Sequence, residues 1–291
     1  STGNTSASVS AYAARAGLKS IVVIPSGKIA QGKLIQAKIY NSKIIQVLGN
    51  FDIALDLVYS VIKKNKDLCF LNSINPFRIE GQKTISFRAL EYLNWESPDW
   101  IVYPGGALGN TSSCGKALME LHEWGWIKKI PRIAVINSEG ASTLSDLYNG
   151  KFEGEELRWN NGNPNTELIS RYYDHLDKEG IRPKTKATAI QIGRPTNILK
   201  GLRALEFTNG IVTTVSDSEM LDGMSVVGLN GFDCEMASGA TVVGIKKLIN
   251  EGVIKKDDVI IGILTGRQKD AMLPVDYHSN PKNKFAKPPK N

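Results

Sequence analysis

Short apolar runs rich in β-branched residues alternate along the chain with stretches whose apolar residues recur at helical spacing. Ile21-Val22-Val23-Ile24-Pro25 reads as a strand of a parallel sheet, because a strand covered on both faces is apolar throughout rather than at alternate positions. Residues 32–40 read as a helix, 43–47 as the next strand and 51–64 as the next helix. Trp100-Ile101-Val102-Tyr103-Pro104 is a further strand, and it runs into a glycine loop over residues 105–110 and a helix over 112–124. Ile133-Ala134-Val135-Ile136 and the run at 259–264 complete the strand set. This rhythm predicts an open α/β sheet. Residues 71–81 are loop-like between two such runs, which predicts a smaller domain over 1–72 and a larger one over 73–291. The polar segment 149–186 reads as an excursion over the sheet, a lid or an insertion.

Composition narrows the possibilities. At 291 residues, 42% hydrophobic and 22% charged, the chain has the size and balance of a two-domain globular protein. No apolar run reaches the ~18–20 residues of a membrane helix, and no signal peptide is read, so neither a membrane nor secretion is expected. Cys69, Cys114 and Cys234 are odd in number and widely spaced, and with only three histidines the chain offers no metal-ligand spacing. A reducing, cytoplasmic setting and no metal are expected. The net charge of +7 comes in part from the Lys/Pro-rich stretch 280–291, which reads as a solvated tail. No basic face interleaved with aromatics points to nucleic acid, while attraction of a phosphorylated small molecule is a milder use of the same charge.

Four segments carry candidate chemistry. Ser1-Thr2-Gly3-Asn4-Thr5-Ser6-Ala7-Ser8 is a polar loop before an alanine-rich helix, and short hydroxyl and amide side chains at a helix N-terminus make an anion and hydrogen-bond platform. In Pro104-Gly105-Gly106-Ala107-Leu108-Gly109-Asn110 a strand meets a glycine loop that opens a helix; backbone N–H groups there can crowd a phosphate, although the same residues also make an ordinary tight turn. The spacing is neither the dinucleotide fingerprint nor a P-loop. Arg78, within the run from Asn72 and Ser73 to Thr84, suits a phosphate or carboxylate through its planar fork, or equally a surface position at a capped helix start. Thr265 follows an apolar strand, where ligands collect in open α/β sheets, and could hydrogen-bond a pyridine nitrogen or serve as a turn residue. The segments 189–195 and 234–241 read as element junctions whose default role is packing. No Ser-His-Asp or Cys-His arrangement stands out.

In this order the phrases STGNTSAS, NSxNPxRxEGQKT, GGxxGN and LTG followed by KD resemble threonine synthases, which are pyridoxal phosphate (PLP) enzymes of fold type II. AxAIxIGxPxN at 187–197 and GLKSIVVIPxGKIAxGKxxQ at 17–36 extend the likeness over nearly the whole chain. The resemblance implies two αβα domains of the tryptophan synthase β type with the cofactor in the interdomain cleft. It implies conversion of O-phospho-L-homoserine and water to L-threonine and phosphate. Asn4 would meet the PLP 3′-oxygen, Gly105, Gly106, Ala107, Leu108, Gly109 and Asn110 would cradle its phosphate, and Thr265 would meet its ring nitrogen and leave it largely unprotonated. Ser1, Thr2, Asn72, Ser73 and Arg78 would hold the substrate's phosphate and carboxylate. The family's Schiff-base lysine is expected upstream of Ser1, since Lys19, Lys28, Lys33 and Lys83 lack its motif; these residues would then be the C-terminal portion of the enzyme, inactive alone. Ala107 stands where many relatives carry Asn, and Arg267-Gln268 where His-Gly is common, which bears on substrate contacts. A homodimer is compatible with this family. The alternatives are a cysteate synthase, a threonine or serine dehydratase, or a non-catalytic ligand-binding fragment.

Overall fold

The computed structural model of the chain describes residues 3–26, 37–48 and 51–267. The helix expected over 32–40 falls mostly outside these residues, and Ser1, Thr2, Gln268 and the 280–291 tail lie wholly outside them. The described chain forms two compact units that divide between Asn75 and Pro76.

The first unit holds α1 (Asn4–Arg15), β1 (Ile21–Pro25), β2 (Lys43–Val47) and α2 (Phe51–Lys64). The two strands pair in parallel, Ile21 opposite Lys43 through Pro25 opposite Val47. A parallel pair needs a long crossover, which accounts for the distance between them in the chain. Val22, Ile24 and Ala37 make a small core, with Ile44 packed against it. Tyr12, Leu48 and Ile53 remain exposed. One expectation changes here: Asn4 to Ser8, read as part of a loop leading into a helix, already lie in the helix. The serines stay within the helix because their hydroxyls turn back onto it, Ser6 Oγ donating to Gly3 O and Ser10 Oγ to Ser6 O, each at 2.7 Å.

The second unit is built on a four-stranded parallel sheet of β3 (Trp100–Pro104), β4 (Arg132–Ser138), β5 (Ile211–Val215) and β6 (Ile260–Gly262), in the order β5-β4-β3-β6. Successive residues of the two central strands feed opposite faces. Ile101, Tyr103, Ile133 and Val135 join one core, while Trp100, Val102, Ala134 and Ile136 join the other. This is why both strands read as unbroken apolar runs. The first face is covered by α4 (Thr84–Tyr92), α5 (Gly109–Glu123), α6 (Thr143–Tyr148), α7 (Thr166–Lys178) and α8 (Ile198–Phe207), with α3 (Pro76–Gln82) packed on α5; the second is covered by α9 (Asp217–Leu229) and α10 (Met236–Asn250). The result is an α/β/α sandwich.

Three further expectations are corrected. Residues 76–82 form helix α3 within a stretch read as loop; Pro76 at its first position is a start signal, because a missing N–H costs nothing there. Helix α5 begins at Gly109, three residues earlier than residue 112, because Leu108 in the left-handed region (φ 64°) completes the turn that launches it. The segment 149–186 does pass over the sheet as an excursion, but it is packed into the core there rather than standing over it as a lid. Leu157, Leu168, Ile169 and Tyr172 are buried in the first core, with Phe152 edge-on to Tyr172 at 5.1 Å. Its polar surface hid a helix, α7, whose apolar residues fall on one face.

Candidate functional site

In parallel α/β sheets ligands gather beyond the carboxyl ends of the strands. Two of the segments singled out above lie there. The glycine loop leaves the end of β3 at Pro104, and Thr265 follows β6, which pairs with β3 through Val102 opposite Gly262. Ile263 N–H extends that pairing by donating to Val102 O at 3.0 Å.

The glycine loop is shaped by what surrounds it. Gly105 N–H still belongs to the sheet and donates to Ile136 O at 2.7 Å, so Gly105 turns the chain rather than offering a donor to a ligand. A Cβ there would lie 2.5 Å from Asn137 Nδ2 and 2.6 Å from Val135 Cγ1. A Cβ on Gly106 would press the backbone of Ala189 and Ile190 at 3.1 Å. Among the described residues, the N–H groups of Gly106, Ala107 and Leu108 donate to no protein acceptor. They sit at the N-terminus of the fifteen-residue helix α5, whose dipole adds positive potential. One residue into the next position, Thr111 Oγ1 is buried with no hydrogen-bond partner among the described residues. Free donors, a helix N-terminus and an orphaned hydroxyl fit a phosphate group, and Ala107 contributes through its backbone alone.

Asn137, at the end of β4, was not singled out by the sequence, yet it locks the loop in place. Its Nδ2 donates to Gly105 O at 2.8 Å, and its Oδ1 accepts from Ser145 N–H in α6 at 3.0 Å. It is 2% exposed. A polar residue closing the apolar run at 133–136, at the ligand-facing edge of a parallel sheet, was the available signal.

Arg78 lies in α3, and α3 is pinned to α5. Lys83 Nζ reaches Glu80 and Glu120 at 2.7 Å each, and Lys116 pairs with Glu80. Gln82 Oε1 lies 3.3 Å from where a Gly109 Cβ would be. The EGQK phrase therefore couples the Arg78 helix to the helix that opens at the glycine loop. Arg78 is half-buried, and burial lowers its pKa from the ordinary guanidinium value. Hydrogen bonds to Glu120 and then Glu80 raise the Lys83 pKa, which holds that amine protonated and makes it a structural cation rather than a nucleophile.

Thr265 sits in a polar cluster with the N-terminal end of α10. Its N–H donates to Ser238 Oγ at 2.8 Å, and its hydroxyl donates to Glu235 Oε1 at 3.1 Å. The junction 234–241, read as packing, thus supplies two of the groups around Thr265. Asn4 is the first residue of α1 in the first unit, as are Asn72 and Ser73 members of that unit, with Asn72 Oδ1 accepting from Ser73 N–H at 2.6 Å. Ser1 and Thr2 lie outside the described residues. Among the described residues no group of His, Cys, Asp and Glu is arranged to hold a metal, and no helix is long and apolar enough to cross a membrane.

Comparison with known proteins places this geometry. The family model for "Pyridoxal-phosphate dependent enzyme" matches residues 1–266. Threonine synthase of Methanocaldococcus jannaschii is 40% identical over 267 residues, covering 91% of this chain and 60% of that protein. Threonine synthase of Methanosarcina acetivorans is 36% identical, covering 97% of this chain and 64% of that protein. The chain thus spans somewhat under two thirds of the length of these relatives. Among solved structures, maize serine racemase superposes with a TM-score of 0.67 at 19% identity, over 96% of this chain and 74% of that one. Cysteine synthase from Entamoeba histolytica gives 0.67 at 18%, over 96% and 70%. These two establish the fold type II architecture and nothing finer. With the family model spanning almost every described residue, and a phosphate-ready loop and a hydroxyl following the ends of two adjacent strands, the chain belongs to the pyridoxal-phosphate dependent enzyme family, whose cofactor is PLP.

Proposed function

We propose that the protein is a threonine synthase, converting O-phospho-L-homoserine and water to L-threonine and phosphate, with the division into domains 1–72 and 73–291 as part of that reading. One observation carries it: the 40% identity to a threonine synthase over 91% of this chain. Residues of the candidate site fall within the matched phrases.

When bound, PLP supplies an electron sink for charge that develops as protons leave the substrate. The chain's own residues do the rest. The N–H groups of Gly106, Ala107, Leu108, Gly109 and Asn110 would hold the cofactor phosphate, with Gly105 turning the chain to present them. Thr265 would face the ring nitrogen, and Asn4 would meet the ring's 3′-oxygen. Ser1, Thr2, Asn72 and Ser73 would hold the substrate's phosphate and carboxylate together with Arg78. Half-burial of Arg78 strengthens its pull on an anion, because fewer water molecules compete for the guanidinium.

Arg78→Ala is expected to lower kcat/KM for O-phospho-L-homoserine by roughly 10- to 150-fold, the range for losing one hydrogen bond to a charged group, with the change mainly in KM. Steady-state kinetics of the full-length, PLP-loaded protein measure it. An unchanged KM would remove Arg78 and the phosphorylated substrate from this account.

A further inference from the structure

Between the excursion 149–186 and α6 lies an open cavity of about 530 Å³. That is the size of a small-molecule site, roughly 300–1,000 Å³. Its inner wall is aromatic and apolar: Tyr172 is buried, and Phe152, His175 and Leu176 are half-buried. Phe152 knits this wall together, edge-on to Tyr172 at 5.1 Å and tilted against His175 at 5.4 Å. The frame is held from both sides. Thr143 Oγ1 in α6 donates to Gly193 O at 2.7 Å, and Lys184 N–H donates to Gly140 O at 2.8 Å. A Cβ on Gly140 would overlap Lys184 O, so the turn after β4 and the end of the excursion run in direct backbone contact.

Most polar groups of the cavity are already engaged. Asp146 accepts from Ser142 Oγ at 2.6 Å and from the Tyr172 hydroxyl at 2.8 Å, with Lys151 Nζ 3.8 Å away. Arg182 lies 3.3 Å from Asp177. Two exposed side chains of opposite sign are left, Glu139 and Lys184; among the described residues neither side chain makes a hydrogen bond or ion pair. They stand on neighbouring chains, because Gly140, next to Glu139, is the residue that Lys184 N–H holds. An occupant that suits this arrangement has an apolar body for the aromatic wall, an anionic group for Lys184 and a cationic group for Glu139. That is the chemistry of a free amino acid with an apolar side chain. A simple carboxylate would satisfy Lys184 and leave Glu139 facing an anion.

We propose that the excursion and α6 build a binding site for a free amino acid with an apolar side chain, its carboxylate at Lys184, its ammonium at Glu139 and its side chain against Phe152, Tyr172 and Leu176. The site shares no residue with the glycine loop, Arg78 or Thr265, so binding there does not depend on the proposed reaction.

The full-length, PLP-loaded protein is titrated with L-leucine by calorimetry, while the His175 imidazole resonances, assigned with a His175→Gln variant, are followed by ¹H–¹³C NMR. The wild-type protein is expected to bind, and His175 to shift with occupancy. Lys184→Ala is expected to weaken binding roughly tenfold, the lower end for losing a hydrogen bond to a charged group, since Lys184 is exposed. Glu139→Gln is expected to remove the preference for L-leucine over 4-methylpentanoate, which has the same body without the ammonium. Both side chains lie at the surface, so neither variant should move the urea midpoint. Absence of binding overturns the proposal. So does binding that Lys184→Ala leaves unchanged or that does not shift His175, because the ligand then sits elsewhere, as at the cofactor. Equal affinity of the wild-type protein for L-leucine and 4-methylpentanoate overturns the assignment to an amino acid.

Discussion

Asn137→Ala is expected to destabilise the second unit by about 2–6 kcal/mol. The substitution strips the partner from two buried backbone groups, Gly105 O and Ser145 N–H, and each unsatisfied group costs about 1–3 kcal/mol. Water cannot easily replace the amide at a position only 2% exposed. The consequence reaches the site, because Gly105 O is the fixed point from which the glycine loop turns. PLP affinity is therefore expected to fall with stability. Urea unfolding followed by tryptophan fluorescence measures the first effect, and titration with PLP the second. A variant as stable as the wild type would show that Asn137 does not hold the loop. Asn137→Asp is the informative companion. It keeps an acceptor for Ser145 N–H but faces Gly105 O with a second acceptor, so it should lose PLP affinity beyond its loss in stability.

The second large effect lies in the wall behind Thr265. Helices α9 and α10 cross backbone to backbone through two glycines. A Cβ on Gly239 would overlap the Met220 carbonyl oxygen, and one on Gly223 would overlap the Gly239 carbonyl oxygen. Neither obstacle is a side chain that can swing away, so the helices must separate and open the second core around Met220, Met236 and Ala240. Gly239→Ala is expected to cost roughly 3 kcal/mol or more, the upper end for overpacking. In a unit of this size that corresponds to a fall in Tm of roughly 6–12 °C. Gly228, in the same helix α9, has nothing within 4 Å of an added Cβ. Gly228→Ala is the control and should be neutral or stabilising by up to about 1 kcal/mol, from helix propensity alone. Equal Tm values for the two variants would contradict the packing argument. Because Ser238 neighbours Gly239, the destabilised variant should also disturb the hydrogen bonds between Ser238 and Thr265.

What the sequence made legible follows from how local each signal is. β1, β2 and β3 were found residue for residue, β3 because a strand covered on both faces is apolar without alternation and β2 from its β-branched pair alone, since most of it is exposed. The glycine loop and Thr265 were found for the same reason: each directly follows such a run. Helix starts were harder. Asn4 to Ser8 looked like a loop because serine and asparagine favour caps in isolation, and only the back-bonded hydroxyls of Ser6 and Ser10 reveal the helix. Arg78 was placed just before a helix rather than inside α3, because the ion pairs that anchor α3 join it to Glu120 and Lys116, far along the chain. Asn137, Glu235 and Ser238 escaped for the same physical reason. Their roles come from partners across the sheet, as with Ser238 and Thr265, twenty-seven residues apart, and no local pattern announces such a pairing.

The central claim is the reaction, and one experiment meets it directly. The full-length protein, loaded with PLP, is incubated with O-phospho-L-homoserine in water enriched in ¹⁸O, and the products are quantified by mass spectrometry and phosphate assay. The account predicts L-threonine and inorganic phosphate in equal amounts, with the heavy oxygen in the threonine side-chain hydroxyl. Phosphate released with 2-oxobutyrate and no threonine, or no turnover at all, would contradict it.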